Sequence, residues 1–253
     1  MKITFLGTGT SQGVPMIACS CKVCTSENPK DKRLRSSILI QNHDLNIVVD
    51  TTPDFRYQML RVGLKRLDAI LITHSHKDHI AGMDDVRAFN YFQKKPVDIY
   101  ATLPSQEVIK KEFSYAFAEN KYPGIPEIRL HTIDSALFQV GRLPILPVGV
   151  LHYKMPVTGF RIDDFTYITD ANYISEKEKE KIKGTKILVL NALRSEHHVS
   201  HFSLPEALAL ADELKVERAY FTHISHQLGL HDEVSSRLPK GRYLAYDGLT
   251  LEM

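Results

Sequence analysis

The chain has 253 residues, of which 43% are hydrophobic and 25% are charged, and its formal net charge is +2. This length allows one large domain or two small ones, and the composition is ordinary for a globular protein. The near-neutral charge argues against a dedicated nucleic-acid binder. No apolar run approaches the roughly 18 residues of a membrane span, and the segment from Met1 to Leu6 lacks a signal-peptide core. We therefore expect a cytoplasmic protein that does not bind membranes.

In the first half of the chain, short strands are predicted to alternate with helices. Apolar and β-branched runs predict strands over 2–6, 37–40, 45–49, 68–72 and 97–101. Helices are predicted over 55–62, 78–92 and 104–118, the first of them started by Pro53 and Asp54 and ended by Gly63. The prolines and the glycine between 119 and 126 predict a loop.

In the second half, strands again outnumber helices. They are predicted over 128–132, 136–140, 143–150, 157–162, 165–169, 186–190, 218–221, 244–246 and 249–251. Helices are predicted over 175–182 and 204–214. Two β-rich halves with intervening helices favour an α/β (α+β) chain folded as a four-layer αββα sandwich, in a single domain over residues 1–253.

The densest polar cluster follows the apolar strand that ends at Ile72. Residues 74–79 have the pattern H-x-H-x-D-H. On an extended backbone His74 and His76 point the same way, whereas Asp78 and His79 follow on the turn into a helix and can aim at a second ion. Imidazoles with one hard carboxylate suit zinc, manganese, iron or nickel, and burying them without a metal would leave many polar groups to satisfy.

This pattern at the end of an apolar strand resembles the signature of the metallo-β-lactamase superfamily, and the resemblance extends over nearly the whole chain. It implies the same αββα sandwich and two catalytic divalent metals, which zinc, manganese or nickel could supply. Three later residues, each at a predicted strand end, complete the ligand set by this resemblance. The implied ligands are His74, His76 and His152 for the first metal, Asp78, His79 and His223 for the second, and Asp170 as the bridge between them.

Asp50 also lies at the end of a predicted strand. It resembles the aspartate of the superfamily's first motif, which supports the ligand loop through hydrogen bonds rather than binding the metal. The alternative interpretation is an aspartate that serves only the turn into the following helix.

All three cysteines lie in one loop with the spacing C-x-C-x-x-C, at Cys19, Cys21 and Cys24. Three cysteines make a poor disulfide framework, but they can hold one zinc ion with a fourth ligand. The pairing of this loop with His223-x-x-His226 resembles the phosphoribosyl 1,2-cyclic phosphate phosphodiesterase branch of the superfamily, in which the extra zinc is structural. By that resemblance the three thiolates and His226 hold one structural zinc; the alternative is a loop of inert or redox-active thiols.

A further group of histidines lies between the predicted strand ending at Leu190 and the helix that starts at Leu204. It resembles the H-x-x-H-x-S segment of the phosphodiesterase relatives, with His198 and His201 at the histidine positions. A departing alkoxide needs a proton, and histidine is its usual donor near neutral pH. We predict His201 as the general acid or phosphate contact and His198 as a supporting or alternative acid, with Asp78 a further catalytic candidate. Alternatively, His201 only caps the helix.

These features favour a binuclear metal-dependent phosphodiesterase that hydrolyses a small, cyclic diester such as 5-phosphoribosyl 1,2-cyclic phosphate. A hydroxide that bridges the metals would attack phosphorus, and a histidine would protonate the departing oxygen. The alternatives within the superfamily are a tRNA 3′-processing endonuclease, a β-lactamase and a glyoxalase-type thioesterase; an alternative of another class is a zinc-stabilised binding module without catalysis. The expected partner is a small phosphodiester rather than nucleic acid, and the resemblance implies a homodimer.

Overall fold

The computed structural model describes residues 1–120 and 122–253; Lys121, in the loop predicted over 119–126, lies outside the described residues. These residues form two compact units, each containing one seven-stranded sheet. The first unit comprises Met1–Leu6, Ser37–Asp134 and Thr250–Met253, and the second comprises Gly7–Ser36 and Ser135–Leu249. The single domain over 1–253 stays a prediction.

The strands and helices are numbered in chain order. Strands β1 to β14 are Lys2–Gly7, Ser37–Asn42, Leu45–Val49, Ala69–Leu71, Val97–Ala101, Ile128–Thr132, Phe138–Val140, Leu143–His152, Met155–Ile162, Phe165–Ile168, Ile187–Asn191, Arg218–Thr222, Arg242–Leu244 and Thr250–Glu252. Helices α1 to α7 are Phe55–Arg61, Lys77–Ile80, Arg87–Gln93, Leu103–Glu112, Glu176–Ile182, Leu204–Glu213 and His231–Ser235. Short 3-10 helices cover Pro29–Asp31, Met83–Val86 and Ser114–Phe117.

The sheet of the first unit has the strand order β14-β1-β2-β3-β4-β5-β6. From β3 to β6 neighbouring strands are parallel, so their carboxyl ends meet at one edge, where functional side chains collect in sheets of this kind. Ile70, Ile99 and Val48 are buried in the core of this unit together with Phe55 of α1 and Phe89 of α3. This core holds β3 and β4 in place, and the residues that follow these two strands therefore emerge at the same edge of the sheet.

The sheet of the second unit has the order β13-β12-β11-β10-β9-β8-β7. Strands β10 to β13 are parallel, and β8 runs in their direction because two antiparallel pairings, through β9, separate it from β10. The carboxyl ends of β8, β10 and β12 thus lie at the same edge. Helix α6 contributes buried Leu204, Ala207 and Leu210 to the core of this unit. Among the described residues, no helix combines the length and apolar character that crossing a membrane would require.

Most predicted elements are observed with their ends shifted by a few residues. The helix predicted over 104–118 ends at Glu112 and is followed by the 3-10 helix Ser114–Phe117. The helix predicted over 78–92 is interrupted at Gly82, whose N–H donates to the Thr51 carbonyl at 2.9 Å instead of to a helical carbonyl. A side chain at Gly82 would meet the Thr52 carbonyl oxygen at 2.0 Å, so this contact requires glycine. The strand predicted over 244–246 lies at Arg242–Leu244. Helix α7 was not predicted, because its five residues are too few to show a helical periodicity.

Candidate metal centre

The first unit brings together His74, His76, Asp78 and His79, which we call the first ligand group. The ring centroids of His74 and His76 are 4.7 Å apart, and those of His74 and His79 are 4.1 Å apart. The His79 Nε2 atom lies 3.1 Å from Asp78 Oδ2. Three imidazoles and one carboxylate therefore converge within one turn of chain after β4, as a site for divalent cations requires.

Asp50 orients the first ligand group through hydrogen bonds. Its Oδ2 atom accepts a hydrogen bond from His79 Nδ1 at 2.7 Å and one from the Thr73 hydroxyl at 2.8 Å, while Oδ1 accepts from the Thr73 main-chain N–H at 2.8 Å. Because Nδ1 of His79 is the donor, Nε2 is the nitrogen that can bind a metal. The Thr73 hydroxyl gives its proton to Asp50, so it accepts from His74 Nδ1 at 3.0 Å and leaves Nε2 of His74 as the ligating atom. Burial raises the pKa of Asp50, and the bonds from His79 and Thr73 act in the opposite direction.

Replacing Asp50 with asparagine is expected to weaken metal binding by about 10- to 100-fold, the usual cost of removing a partner that orients a ligand histidine. An amide keeps the size of the side chain but cannot accept at both of its ends, so His79 or Thr73 loses a hydrogen bond. The change in metal affinity would be measured by titrating the metal-free protein with metal and monitoring its activity. Exchange of the half-buried Asp54, which follows four residues later in the turn before α1, for asparagine is the matched control; equal metal affinity in both variants would contradict the prediction.

The second unit brings together His152, Asp170 and His223, the second ligand group. His152 is the last residue of β8 rather than lying just beyond it, and its Nδ1 donates to the Ser200 carbonyl at 2.7 Å. Nε2 of His152 is therefore the nitrogen available to a metal. The Asp170 Oδ1 atom lies 3.1 Å from His223 Nδ1 and accepts from the Thr169 hydroxyl at 2.6 Å.

Three of the predicted residues have left-handed backbone conformations: Asp50 with φ 65°, Asp170 with φ 52° and His223 with φ 55°. Asp50 and His223 directly follow a strand, and Asp170 lies two residues after the end of β10. The chain therefore turns sharply close to the point where each functional side chain emerges. Non-glycine residues enter this region at a cost of roughly 1–3 kcal/mol, and they cluster at functional sites. Around Asp170 the turn is held by Asn191, whose side chain bonds both the N–H and the carbonyl of Ala171, at 2.8 and 2.9 Å.

His201 and His198 lie in the loop over residues 194–203, which we call the histidine loop. Nε2 of His201 is 3.3 Å from Asp170 Oδ2, and its ring stacks on that of His223 at a centroid distance of 4.9 Å. His198 contacts His201 rather than the ligand group, with their Nδ1 atoms 3.3 Å apart. Burial first, and then the charges of His201 and Arg194, lower the pKa of His198.

This placement puts His201 against Asp170 and His223, with His198 beside it; the role of either histidine as the general acid stays a prediction. The alternative role for His201, a cap of the helix at Leu204, is wrong. Ser203 is the N-cap of α6, in a capping box with Glu206.

The cysteine loop meets the segment after β12 within the second unit. The ligand atoms of Cys19, Cys21, Cys24 and His226 all lie within 4.8 Å of one another, with His226 Nδ1 at 3.4 Å from Cys19 Sγ and 3.3 Å from Cys21 Sγ. The Met16 main-chain N–H donates to Cys24 Sγ at 3.3 Å, a contact that stabilises a thiolate. Three sulfurs and one imidazole at these distances match the donor set of a tetrahedral zinc.

The thiols of this cluster differ in acidity. The hydrogen bond with His226 lowers the pKa of Cys21 to about 6. Burial raises the pKa of Cys24 to about 11. Zinc binding would therefore release a proton from Cys24 near neutral pH, as expected for a ligand that must be deprotonated to bind.

A buried polar network anchors the end of the cysteine loop. Arg33 is only 4% exposed. Its guanidinium donates to the Thr8 hydroxyl at 2.8 Å and the Ala245 carbonyl at 2.6 Å, and lies 3.1 Å from His231 Nδ1. Asp31 accepts from the His231 main-chain N–H at 2.7 Å. Burial first, and then the charge of Arg33, lower the pKa of His231 to about 4.

Stability is expected to fall between about pH 6.5 and pH 4 because of His231. The folded-state pKa lies below the unfolded value, so the contribution is fully present above about pH 6.5 and is lost as the pH falls toward 4. For a residue that is only 5% exposed, this lowering of the pKa corresponds to roughly 3 kcal/mol. Urea unfolding of the protein and of a His231→Gln variant across this range would isolate the effect.

The matched control for that measurement is a His43→Asn variant, which changes an exposed turn histidine with φ 50°. It should follow the pH dependence of the unsubstituted protein. If the difference in stability between the protein and the His231→Gln variant does not change with pH, the prediction is wrong.

Several residues of the site were not predicted from the sequence. Thr73, Thr169 and Ser200 place their hydroxyls or carbonyls on the ligand histidines and aspartates, and Thr10 Oγ1 lies 3.3 Å from His223 Nε2. Position is the one signal that the sequence offers for three of these residues: Thr73, Thr169 and Ser200 each directly precede a candidate residue. Thr10 has no such neighbour.

Comparison with known proteins gives the fold and the superfamily that the sequence predicts. A protein-family model described as a β-lactamase superfamily domain matches residues 45–224. The crystal structure of a protein described as a new diphosphatase from the PhnP family is 40% identical and superimposes with a TM-score of 0.93, over 100% of this chain and 97% of that one. This likeness confirms the predicted αββα fold.

Two curated relatives differ in the share of their length that is matched. An octanoyltransferase of Porphyromonas gingivalis is 36% identical over 98% of this chain, but this chain spans only 51% of that protein. A ribonuclease Z of a Nostoc species is 31% identical over 64% of this chain and 46% of its own length. This chain therefore spans about half the length of each of these two relatives.

Proposed function

Because the chain belongs to the β-lactamase superfamily, we propose that it is a binuclear metal-dependent phosphodiesterase for a small, cyclic diester such as 5-phosphoribosyl 1,2-cyclic phosphate. Membership and the diphosphatase and ribonuclease Z relatives indicate a metal-dependent hydrolase. The observation that carries the finer proposal is the cluster of Cys19, Cys21, Cys24 and His226. Within the superfamily this cluster resembles the structural zinc site of the cyclic phosphodiesterase branch.

In this proposal the chain holds two divalent cations, which zinc, manganese or nickel could supply, and the cysteine cluster holds one structural zinc. The proposed ligands are those implied by the sequence: His74, His76 and His152, then Asp78, His79 and His223, with Asp170 as the bridge. When bound, the cations neutralise the phosphodiester charge and acidify a water that serves as the nucleophile. His79, His74 and His152 already have one ring nitrogen held by the protein, so little reorganisation accompanies binding.

His201 completes the reaction as the general acid. Its Nε2 atom faces Asp170 and is the donor for the oxygen that leaves phosphorus. An alkoxide leaving group gains about 10²- to 10⁴-fold from such a donor. His198 packs beside it, and Asp78 acts through the cation it binds.

A second candidate is hydrolysis of a diphosphate, because the relative with 40% identity is described as a diphosphatase. A phosphate leaving group is already a weak base, so this reaction depends less on His201 than the opening of a cyclic diester does. The effect of removing His201 therefore separates the two candidates. A tRNA endonuclease is less well supported, since the net charge of +2 offers little for a phosphate backbone.

The proposal is tested by hydrolysis of a substrate panel with metal-reconstituted protein and a His76→Ala variant. The panel contains 5-phosphoribosyl 1,2-cyclic phosphate, a 2′,3′-cyclic nucleotide, bis(4-nitrophenyl) phosphate, a nucleoside diphosphate ester, a precursor tRNA and a β-lactam. We expect turnover of the cyclic ribosyl ester well above the others, abolished by His76→Ala. Preferred cleavage of the diphosphate would favour the second candidate, whereas cleavage of tRNA or the lactam would contradict both. Inactivity with one zinc per chain would indicate a binding module.

A further inference from the structure

Two main-chain hydrogen bonds close the base of the histidine loop, and a side-chain hydrogen bond connects residues within it. The Leu193 N–H donates to the Phe202 carbonyl at 3.0 Å, and the Leu204 N–H donates to the Arg194 carbonyl at 2.8 Å. The guanidinium of Arg194 also donates to the His197 carbonyl at 2.9 Å. These bonds fix the main chain of the loop on both sides of its centre.

Ser200, at the centre of this loop, contacts three histidines. Its hydroxyl oxygen lies 3.0 Å from His201 Nδ1 and 3.2 Å from His198 Nδ1. Its main-chain carbonyl accepts from His152 Nδ1 at 2.7 Å. One residue thus contacts a metal-ligand candidate through its backbone and the acid candidate through its side chain.

The direction of these bonds follows from the donors available. The Ser200 main-chain N–H can only donate, and it points to His198 Nδ1 at 3.4 Å. That nitrogen is therefore an acceptor, and it can also receive the Ser200 hydroxyl proton. The hydroxyl oxygen is then left to accept from Nδ1–H of His201. The resulting chain runs from His201 Nδ1–H to Ser200 Oγ–H to His198 Nδ1.

We propose that Ser200 is a positioning residue for the general acid: it holds Nδ1–H of His201, so that Nε2 is the nitrogen that gives its proton to the leaving oxygen. This inference rests on the proposed phosphodiesterase function. A hydroxide ion forms the new P–O bond, the bond to the leaving oxygen breaks with its electron pair on that oxygen, and the Nε2 proton moves onto it. His201 gives this proton as the imidazolium and is left as the neutral ring, and Nδ1–H stays on Ser200 in both forms, because the partner of one ring nitrogen sets the role of the other.

The test is a double-mutant cycle of Ser200→Ala and His201→Gln, measured as kcat/KM on the cyclic ribosyl ester and on bis(4-nitrophenyl) phosphate. Ser200→Ala alone should cost roughly tenfold or more on the ribosyl ester, whose leaving oxygen needs a proton, but less than about threefold on the activated aryl ester. In the His201→Gln background Ser200→Ala should cost less than about twofold, because residues that act as a unit are not additive. Ser195→Ala, at an exposed serine of the same loop, is the matched control.

Metal content is measured on every variant. It should be unchanged by Ser200→Ala, because the bond to His152 comes from the main-chain carbonyl, which the substitution keeps. Equal losses on both esters, additive losses in the cycle, or loss of metal would overturn the inference while leaving the proposed function intact. If only the ribosyl ester is turned over, the cycle on that ester decides; if only the aryl ester is, a loss greater than about threefold in Ser200→Ala overturns the inference. If the unsubstituted, fully metallated protein hydrolyses neither ester, the proposed function fails and this inference fails with it.

Discussion

Exchange of Asp170 for asparagine is expected to lower kcat/KM for the phosphodiester by about 10³-fold or more. The carboxylate is 2% exposed and lies between two histidines, 3.1 Å from His223 Nδ1 and 3.3 Å from His201 Nε2. As the proposed bridge it supplies the negative charge that allows two cations to lie side by side. Loss of several kcal/mol of metal-dependent transition-state stabilisation corresponds to a factor of this size.

The substitution is informative because it preserves much of the local structure. An amide oxygen can still accept from the Thr169 hydroxyl, which now donates at 2.6 Å, and asparagine tolerates the observed φ of 52°. Steady-state kinetics and metal analysis would be compared with Asp163→Asn, which changes an exposed aspartate with φ 50° in the turn after β9. Activity within tenfold of the unsubstituted protein, with two catalytic metals retained, would show that Asp170 does not bridge them.

The elements that carry the site were largely predictable because they are local patterns. Strands Leu45–Val49, Val97–Ala101 and Ile128–Thr132 are observed with the predicted bounds, since each is an apolar or β-branched run between turn residues. The spacing of Cys19, Cys21 and Cys24 likewise predicted one shared site with a fourth ligand. The family resemblance implied His226 as that ligand, and the structure brings His226 to the cysteines. Metal binding by these residues stays a prediction.

What could not be predicted depends on contacts between distant parts of the sequence. Nothing near Arg33 indicates that its guanidinium would be buried against Ala245 and His231, about 200 positions later. The hydroxyl of Ser200 could not be assigned to His201 without knowing how the loop closes. Histidine adopts a positive φ only occasionally, so the left-handed turn at His223 could not be predicted from the sequence. Sequence patterns identify which residues can do chemistry, whereas the partners that orient them come from tertiary structure.

Removal of the proposed structural zinc is expected to lower the melting temperature by about 10 °C or more. The proposed ion links Cys19 and Cys21 to His226, more than 200 positions away. In the chain-entropy description, a covalent link that closes a loop of ~100 residues contributes roughly 4–5 kcal/mol. For a protein of this size each kcal/mol shifts the melting temperature by about 2–4 °C. A Cys21→Ser variant should show the same shift without added chelator.

The control is Ser20→Ala, an exposed residue between two of the cysteines, which should melt with the unsubstituted protein. A mild chelator that strips the catalytic pair should leave one zinc per chain, because a closed site with four protein ligands exchanges its metal more slowly than an open one. Loss of that last zinc should also reduce activity, since His226 lies three residues after His223 and the Ile224 N–H donates to the Thr8 carbonyl at 2.9 Å beside the cysteine loop. A Cys21→Ser variant that melts within about 2 °C of the unsubstituted protein, well inside the shift expected from the lost link, would contradict a structural role for the cluster.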